Sequence, residues 1–168
     1  MRILKHSRGV TLVELMATLS AAAVALTLGF PSFRGLQADM QRTQVRYALT
    51  ASFTLARSEA ARRGVPVTVC PSLDGINCSP HSGLDWSRGW IVVINHGGEP
   101  KVLDAARFRN DSFAVAADGE IARGVTFKSS GVPSATGAFL YRDDKATCQL
   151  RLSPLGRIEV LATNPACS

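Results

Sequence analysis

The sequence has 168 residues, 46% hydrophobic and 19% charged, which is too apolar for an intrinsically disordered chain and too short for more than one modest globular domain plus one special segment. Its formal net charge is +6, from 19 Lys and Arg against 13 Asp and Glu, a balance that suits an anionic partner such as nucleic acid or a membrane surface. Arg2, Lys5 and Arg8 supply three of those cations, so without the first nine residues the count falls to 16 against 13, or +3, and the excess over the rest of the chain is mild.

From Val10 to Phe33 there is no Lys, Arg or Asp, and Glu14 is the single ionisable residue. A helix over these residues would run about 36 Å, enough to cross a hydrocarbon core of about 30 Å. Three cations before it, against Arg34 after it, orient the segment with its N-terminus in the cytoplasm and the remaining chain outside. A conventional secretory signal peptide shares the basic start, the apolar run and small residues such as Ala21, Ala22 and Ala23. Glu14 weighs against it, because a carboxylate inside a membrane segment costs about 3 kcal/mol and is retained where it has a partner or a function. Pro31 lacks an N–H, and with Gly29 and Gly35 nearby it predicts a kink or a melted turn.

From Ser32 to Arg63 the pattern continues as helix. Val45, Leu49, Phe53, Ala56 and Ala60 recur at spacings of three or four and form one face, which should pack on a sheet. Gly64 sits where a C-cap glycine belongs, and Arg62 and Arg63 complement the dipole of the last turn. Arg57 and Glu59 read as surface ion-pair residues. Beyond Gly64 the period becomes strand-like at Val65–Val69, Gly89–Ile94, Phe113–Val115, Val125–Phe127, Ala138–Tyr141 and Gln149–Leu152, punctuated by Gly, Pro, Asn and Asp. Trp90 reads as core and Trp86 as the cover of a sheet edge. One long helix followed by about six short strands gives an α+β fold, with the helix laid across an antiparallel sheet.

Four cysteines, Cys70, Cys78, Cys148 and Cys167, in a domain placed outside the cytoplasm read as two disulfides with three open connectivities. Proximity in sequence selects Cys70–Cys78 and Cys148–Cys167. Zinc is disfavoured, since there is no C-x-x-C and the histidines at 6, 81 and 96 are scattered. No phosphate-cradling glycine loop, G-x-S-x-G or H-E-x-x-H is present, so nothing points to an enzyme, and no cofactor or metal is implied.

The run Gly9-Val10-Thr11-Leu12-Val13-Glu14-Leu15 after a short basic leader resembles the class III signal of type IV pilins and type II secretion pseudopilins. The resemblance implies a leader 1–9 cut after Gly9 by a prepilin peptidase, and N-methylation of Val10, where the family usually has Phe. It further implies a membrane-spanning and filament-core helix 10–33, an amphipathic second half 34–64 and a periplasmic antiparallel β domain 65–168. Glu14, fifth from Val10, would neutralise the new ammonium of its own or a neighbouring subunit and act as a register check in assembly. Leu55-Ala56-Arg57-Ser58-Glu59-Ala60, Arg63-Gly64, Cys70, Trp86-Ser87-Arg88-Gly89-Trp90 and the Cys148–Cys167 segment with Gly156-Arg157 resemble the GspH/FimT branch of minor pilins. That resemblance implies a minor pilin of a type IV pilus, in the inner membrane and then in the filament near its tip. Its partners would be other major and minor pilins, the prepilin peptidase and the pilus assembly platform. A type II secretion pseudopilin is one alternative. Another is a subunit that binds double-stranded DNA for natural transformation, through a Gly-Arg-x-Arg-like hairpin at Gly156-Arg157-Ile158-Glu159 with Arg142, Lys145 and Arg151 nearby; here Glu159 stands where the second arginine would be.

Overall fold

The computed structural model describes residues 10–79, 85–96, 98–108, 112–161 and 167, with the side chains of 27–34, His96 and Glu99 also outside the description. Helix α1 runs from Leu12 to Arg63. The chain divides into two compact units, the first ending at Asp39 and the second beginning at Met40.

In the first unit α1 opens on an N-cap built from its own sequence. The Glu14 amide donates to Thr11 Oγ1 at 3.3 Å, satisfying one of the donors that a helix start leaves open, and the Leu15 amide makes the first intrahelical bond, to the Thr11 carbonyl at 3.1 Å. The hydroxyls of Thr18 and Ser20 turn back onto the helix, donating to the carbonyls of Leu15 at 2.9 Å and Met16 at 2.6 Å. Val10, Leu12, Val13, Met16, Leu19, Val24 and Leu26 are all exposed. The helix is continuous in secondary structure through Pro31, so the turn is not melted. The expected kink falls among the residues whose side chains lie outside the description.

The second unit is built on the other half of α1. Val45, Leu49, Phe53, Ala56 and Ala60, the face read from the sequence, are all buried. Gly64 ends the helix in the left-handed conformation at φ +68°, its amide donating to the Ala60 carbonyl at 3.0 Å. That geometry favours a residue without Cβ. Glu59 pairs with Arg62 at 2.8 Å and with Arg63, so its carboxyl titrates below the ordinary range, chiefly through the Arg62 hydrogen bond. Arg57, also read as an ion-pair residue, is not part of this cluster.

Among the described residues eight strands follow where about six were expected, in two antiparallel sheets instead of one. The strands are β1 (Val67–Pro71), β2 (Gly89–His96), β3 (Glu99–Arg107), β4 (Phe113–Ala117), β5 (Val125–Phe127), β6 (Gly137–Asp143), β7 (Thr147–Leu152) and β8 (Ile158–Leu161). One sheet has the order β3-β2-β1-β5 and the other β4-β6-β7-β8. The two strands the pattern did not mark, β3 and β8, are both edges. Phe53 joins the layers: its ring meets Phe127 of β5 edge-on at 5.9 Å and Phe139 of β6 at 5.6 Å. Trp86 lies on the edge of the second sheet, its amide donating to the Val115 carbonyl of β4 at 2.7 Å beside the Asp85–Ala116 bridge. Its ring is core as well: it is fully buried, packs against Phe139 at 4.9 Å, and donates its indole N–H to the Ala122 carbonyl at 3.1 Å. A large ring gains more by complete burial once its one polar group is satisfied. Trp90 is core as read, its N–H donating to Ser52 Oγ at 3.0 Å.

Candidate functional site

The disulfides are Cys70–Cys78 and Cys148–Cys167. The first closes a loop organised by Asp74, whose Oδ1 accepts from the amides of Ile76 and Asn77, both at 2.8 Å. These hydrogen bonds to the charged form, those of Asn77 first, hold the Asp74 carboxyl well below the carboxylate range. The second ties residue 167 to β7 beside a small cavity of about 20 Å³ lined by Arg42, Arg46, Tyr141 and Leu150, room for about one water. The Tyr141 hydroxyl is buried there without a hydrogen-bond partner, and burial pushes its pKa up.

Beside that cavity lies a feature the sequence did not disclose. Arg42 Nε donates to Asp143 Oδ2 at 2.6 Å, with only 7% and 4% of the two side chains exposed. Arg42 Nη2 reaches Asp143 Oδ1 at 3.4 Å. The same carboxylate accepts from the amides of Lys145 at 2.8 Å and Ala146 at 2.7 Å. Burial opposes ionisation of Asp143, but the Arg42 bond and the two amides outweigh it and hold its pKa below the usual value. Asp143 is therefore not an exposed charge beside Arg142 and Lys145. It fixes the β6–β7 turn to α1.

The four cations considered for DNA separate into two pairs. Arg142 and Lys145 lie at the β6–β7 turn, Arg142 opposite Thr147. Arg151 and Arg157 lie toward the β7–β8 turn, at the far end of a six-residue strand about 20 Å long. Glu159, the position that departs from the Gly-Arg-x-Arg pattern, sits directly across from Arg151 in the β7–β8 register, which places opposite charges at one cross-strand position. The β7–β8 turn is tightly closed: the Ser153 amide donates to the Arg157 carbonyl at 2.9 Å and the Gly156 amide to the Ser153 carbonyl at 2.8 Å.

Of the residues read at the N-terminus, Gly9 lies outside the described residues, while Val10 and Glu14 are exposed at the start of α1. Among the described residues no helix is long and apolar enough to cross a membrane; the sequence run continues to Phe33, into side chains outside the description. No group of His, Cys, Asp and Glu among the described residues is arranged to hold a metal.

A helix whose apolar residues from Leu12 to Leu26 are exposed, and whose second half packs on two antiparallel sheets, has the α+β arrangement of a pilin-like structural protein. The chain belongs to the GspH family: the family model described as type II transport protein GspH matches residues 47–156. Two crystal structures of the Pseudomonas aeruginosa (strain PAO1) type IV minor pilin FimU share its fold. One, in space group P21, is 20% identical with a TM-score of 0.54, covering 83% of this chain and 95% of that one. The other, in space group P65, is 18% identical with a TM-score of 0.53, covering 75% and 94%. No curated protein matches the chain in sequence.

Proposed function

We propose that this chain is a minor pilin of a type IV pilus. In this reading it is held in the inner membrane by residues 10–33, freed of its leader by cleavage between Gly9 and Val10, methylated at Val10, and built into the filament near the tip, where it primes assembly. The observation that carries the reading is the first unit of α1. From Leu12 to Leu26 its apolar side chains are exposed, and the Thr18 and Ser20 hydroxyls are satisfied within the helix, the condition that lipid or a bundle of neighbouring helices imposes on a polar group. Glu14 sits in the first turn, where a carboxylate is favoured by the helix dipole and stands one turn from the ammonium that cleavage would create at Val10.

The test is Glu14→Ala in cells, with membrane and sheared-filament fractions assayed separately. The variant is expected in the membrane at normal level and depleted from filaments. Normal incorporation would sink the register-check argument. The family description favours a second reading, a type II secretion pseudopilin, in which the same cleavage and helix serve a secretion machine; loss of secretion with intact pili in a deletion strain selects it.

A further inference from the structure

Two turns and the helix bring three cations and two bare aliphatic side chains to one surface. Arg57 of α1 lies between the turn after β5 and the β7–β8 turn. A Cβ built on Gly131 would stand 3.5 Å from Arg57 Cγ, and one built on Gly156 would stand 3.7 Å from Arg57 Cδ, so the two turns approach within about 9 Å of each other across the arginine stem. The first turn is closed by the Gly131 amide on the Lys128 carbonyl at 2.7 Å and the Lys128 amide on the Val132 carbonyl at 2.9 Å. It carries Lys128 and Val132, the latter 47% exposed. The second carries Arg157 and Leu155, the latter 63% exposed.

Two neighbouring carboxylates are engaged elsewhere: Glu59 holds Arg62 and Arg63, and Asp118 accepts the Ala138 amide at 2.7 Å. Glu159 lies opposite Arg151 in the β7–β8 register. Both turns are pinned. Gly156 is seated against Phe127, whose Cε1 would stand 2.7 Å from an added Cβ, and its φ of +73° excludes most side chains. The surface is therefore preformed, and binding would cost little loop ordering.

We propose that the Arg57, Lys128 and Arg157 surface, with Leu155 and Val132, docks an acidic segment bearing an aliphatic residue on the globular domain of a neighbouring subunit. The inference rests on the minor-pilin reading only in saying that the neighbour is another subunit. Cations alone would suit phosphate equally, but single-stranded nucleic acid is held by aromatic stacking and duplex by phosphate contacts. The surface offers no aromatic residue and instead exposes a leucine and a valine, which a protein segment can cover.

The test uses the full chain in a zwitterionic detergent, titrated with a short fluorescent peptide of aspartates with interspersed leucines. Parallel titrations use the same peptide with serine for leucine, and a DNA duplex of about 20 base pairs. The leucine peptide is expected to bind more tightly than both. Arg57→Gln, which keeps much of the stem between the turns, and Leu155→Ser should each weaken it about fivefold, the loss of one contributing anchor. Arg88→Ala lies beside the Pro71 end of β1, about 13 Å along that strand from the Val67–Phe127 pair, and should leave affinity unchanged. Tighter binding of the duplex, insensitivity to Leu155→Ser, equal loss in Arg88→Ala, or no peptide binding at low salt would each overturn the proposal. None of these outcomes bears on the Glu14 assay, so the docking surface and the minor-pilin reading fail separately.

Discussion

The buried pair Arg42–Asp143 gives the sharpest energetic expectation. Asp143→Asn keeps the side-chain shape, but its single oxygen can serve either the amides of Lys145 and Ala146 or Arg42 Nε, now 2.6 Å from a carboxylate, and the NH2 group then faces the other donor. Because the two side chains are only 7% and 4% exposed, water cannot replace the lost charge, and breaking one partner of such a pair costs about 3–5 kcal/mol. Against a total stability of about 5–15 kcal/mol, that is about a fifth of the margin or more. At roughly 3–5 °C per kcal/mol for a unit of this size, the melting temperature should fall by roughly 10–20 °C. Circular dichroism at 222 nm during heating at pH 7 reads this directly, with Arg42→Met/Asp143→Leu as the companion. The double variant should recover much of the loss, since a well-packed apolar pair avoids the uncompensated charge. A loss below about 1 kcal/mol for Asp143→Asn would refute the reasoning, because that is the magnitude of a solvated surface pair.

The same carboxylate sets the acid limb of stability. Its folded pKa lies below the unfolded value, so the folded state binds fewer protons, and the contribution is complete above about pH 4 and lost as pH falls through the folded pKa. Asp143→Asn should flatten that limb in denaturant titrations across pH 2–5. At the alkaline end Tyr141, raised by burial, works in the opposite sense: stability should decline above about pH 10, where the unfolded tyrosine ionises first, and Tyr141→Phe should remove the decline. Replacing Cys148 and Cys167 by serine should lower stability by about 3 kcal/mol for a closed loop of this length, measured by urea unfolding; an unchanged midpoint would count against it. Substitution of Gly9 should leave the leader attached, visible by mass spectrometry as an unmethylated chain heavier by nine residues, whereas a processed product would argue against cleavage there.

How much of this was readable in advance depended on whether the signal was local. The buried helix face was legible because Val45, Leu49, Phe53, Ala56 and Ala60 repeat at the helical period, and the cap at Gly64 because a φ of +68° selects glycine. The sheet edges were not. In β3, Pro100, Lys101 and Asp104 break the alternation that marks a strand, and those are residues an edge strand uses to discourage pairing with other chains. β8 is only four residues long, with Glu159 in its middle. The division into two sheets depends on which strands pair, and no spacing along the chain declares that. Arg42 and Asp143 are 101 positions apart, and each alone reads as an ordinary surface charge. Likewise Arg57 seems a helix-surface residue until the turns at Gly131 and Gly156 close on either side of it.

The order of strands along the chain has a consequence for how the second unit comes apart. β1 to β3 belong to one sheet and β4 to the other, then β5 returns to the first before β6 to β8 complete the second. Neither sheet is a contiguous stretch, so no single cut yields two fragments that each retain a whole layer. With Phe53 lodged against a ring from each, loss of one layer strips the other of its packing. The two sheets are thus interlocked in the manner of a braid, and mechanical load on this unit would meet one cooperative barrier where two independent layers would offer two weaker ones.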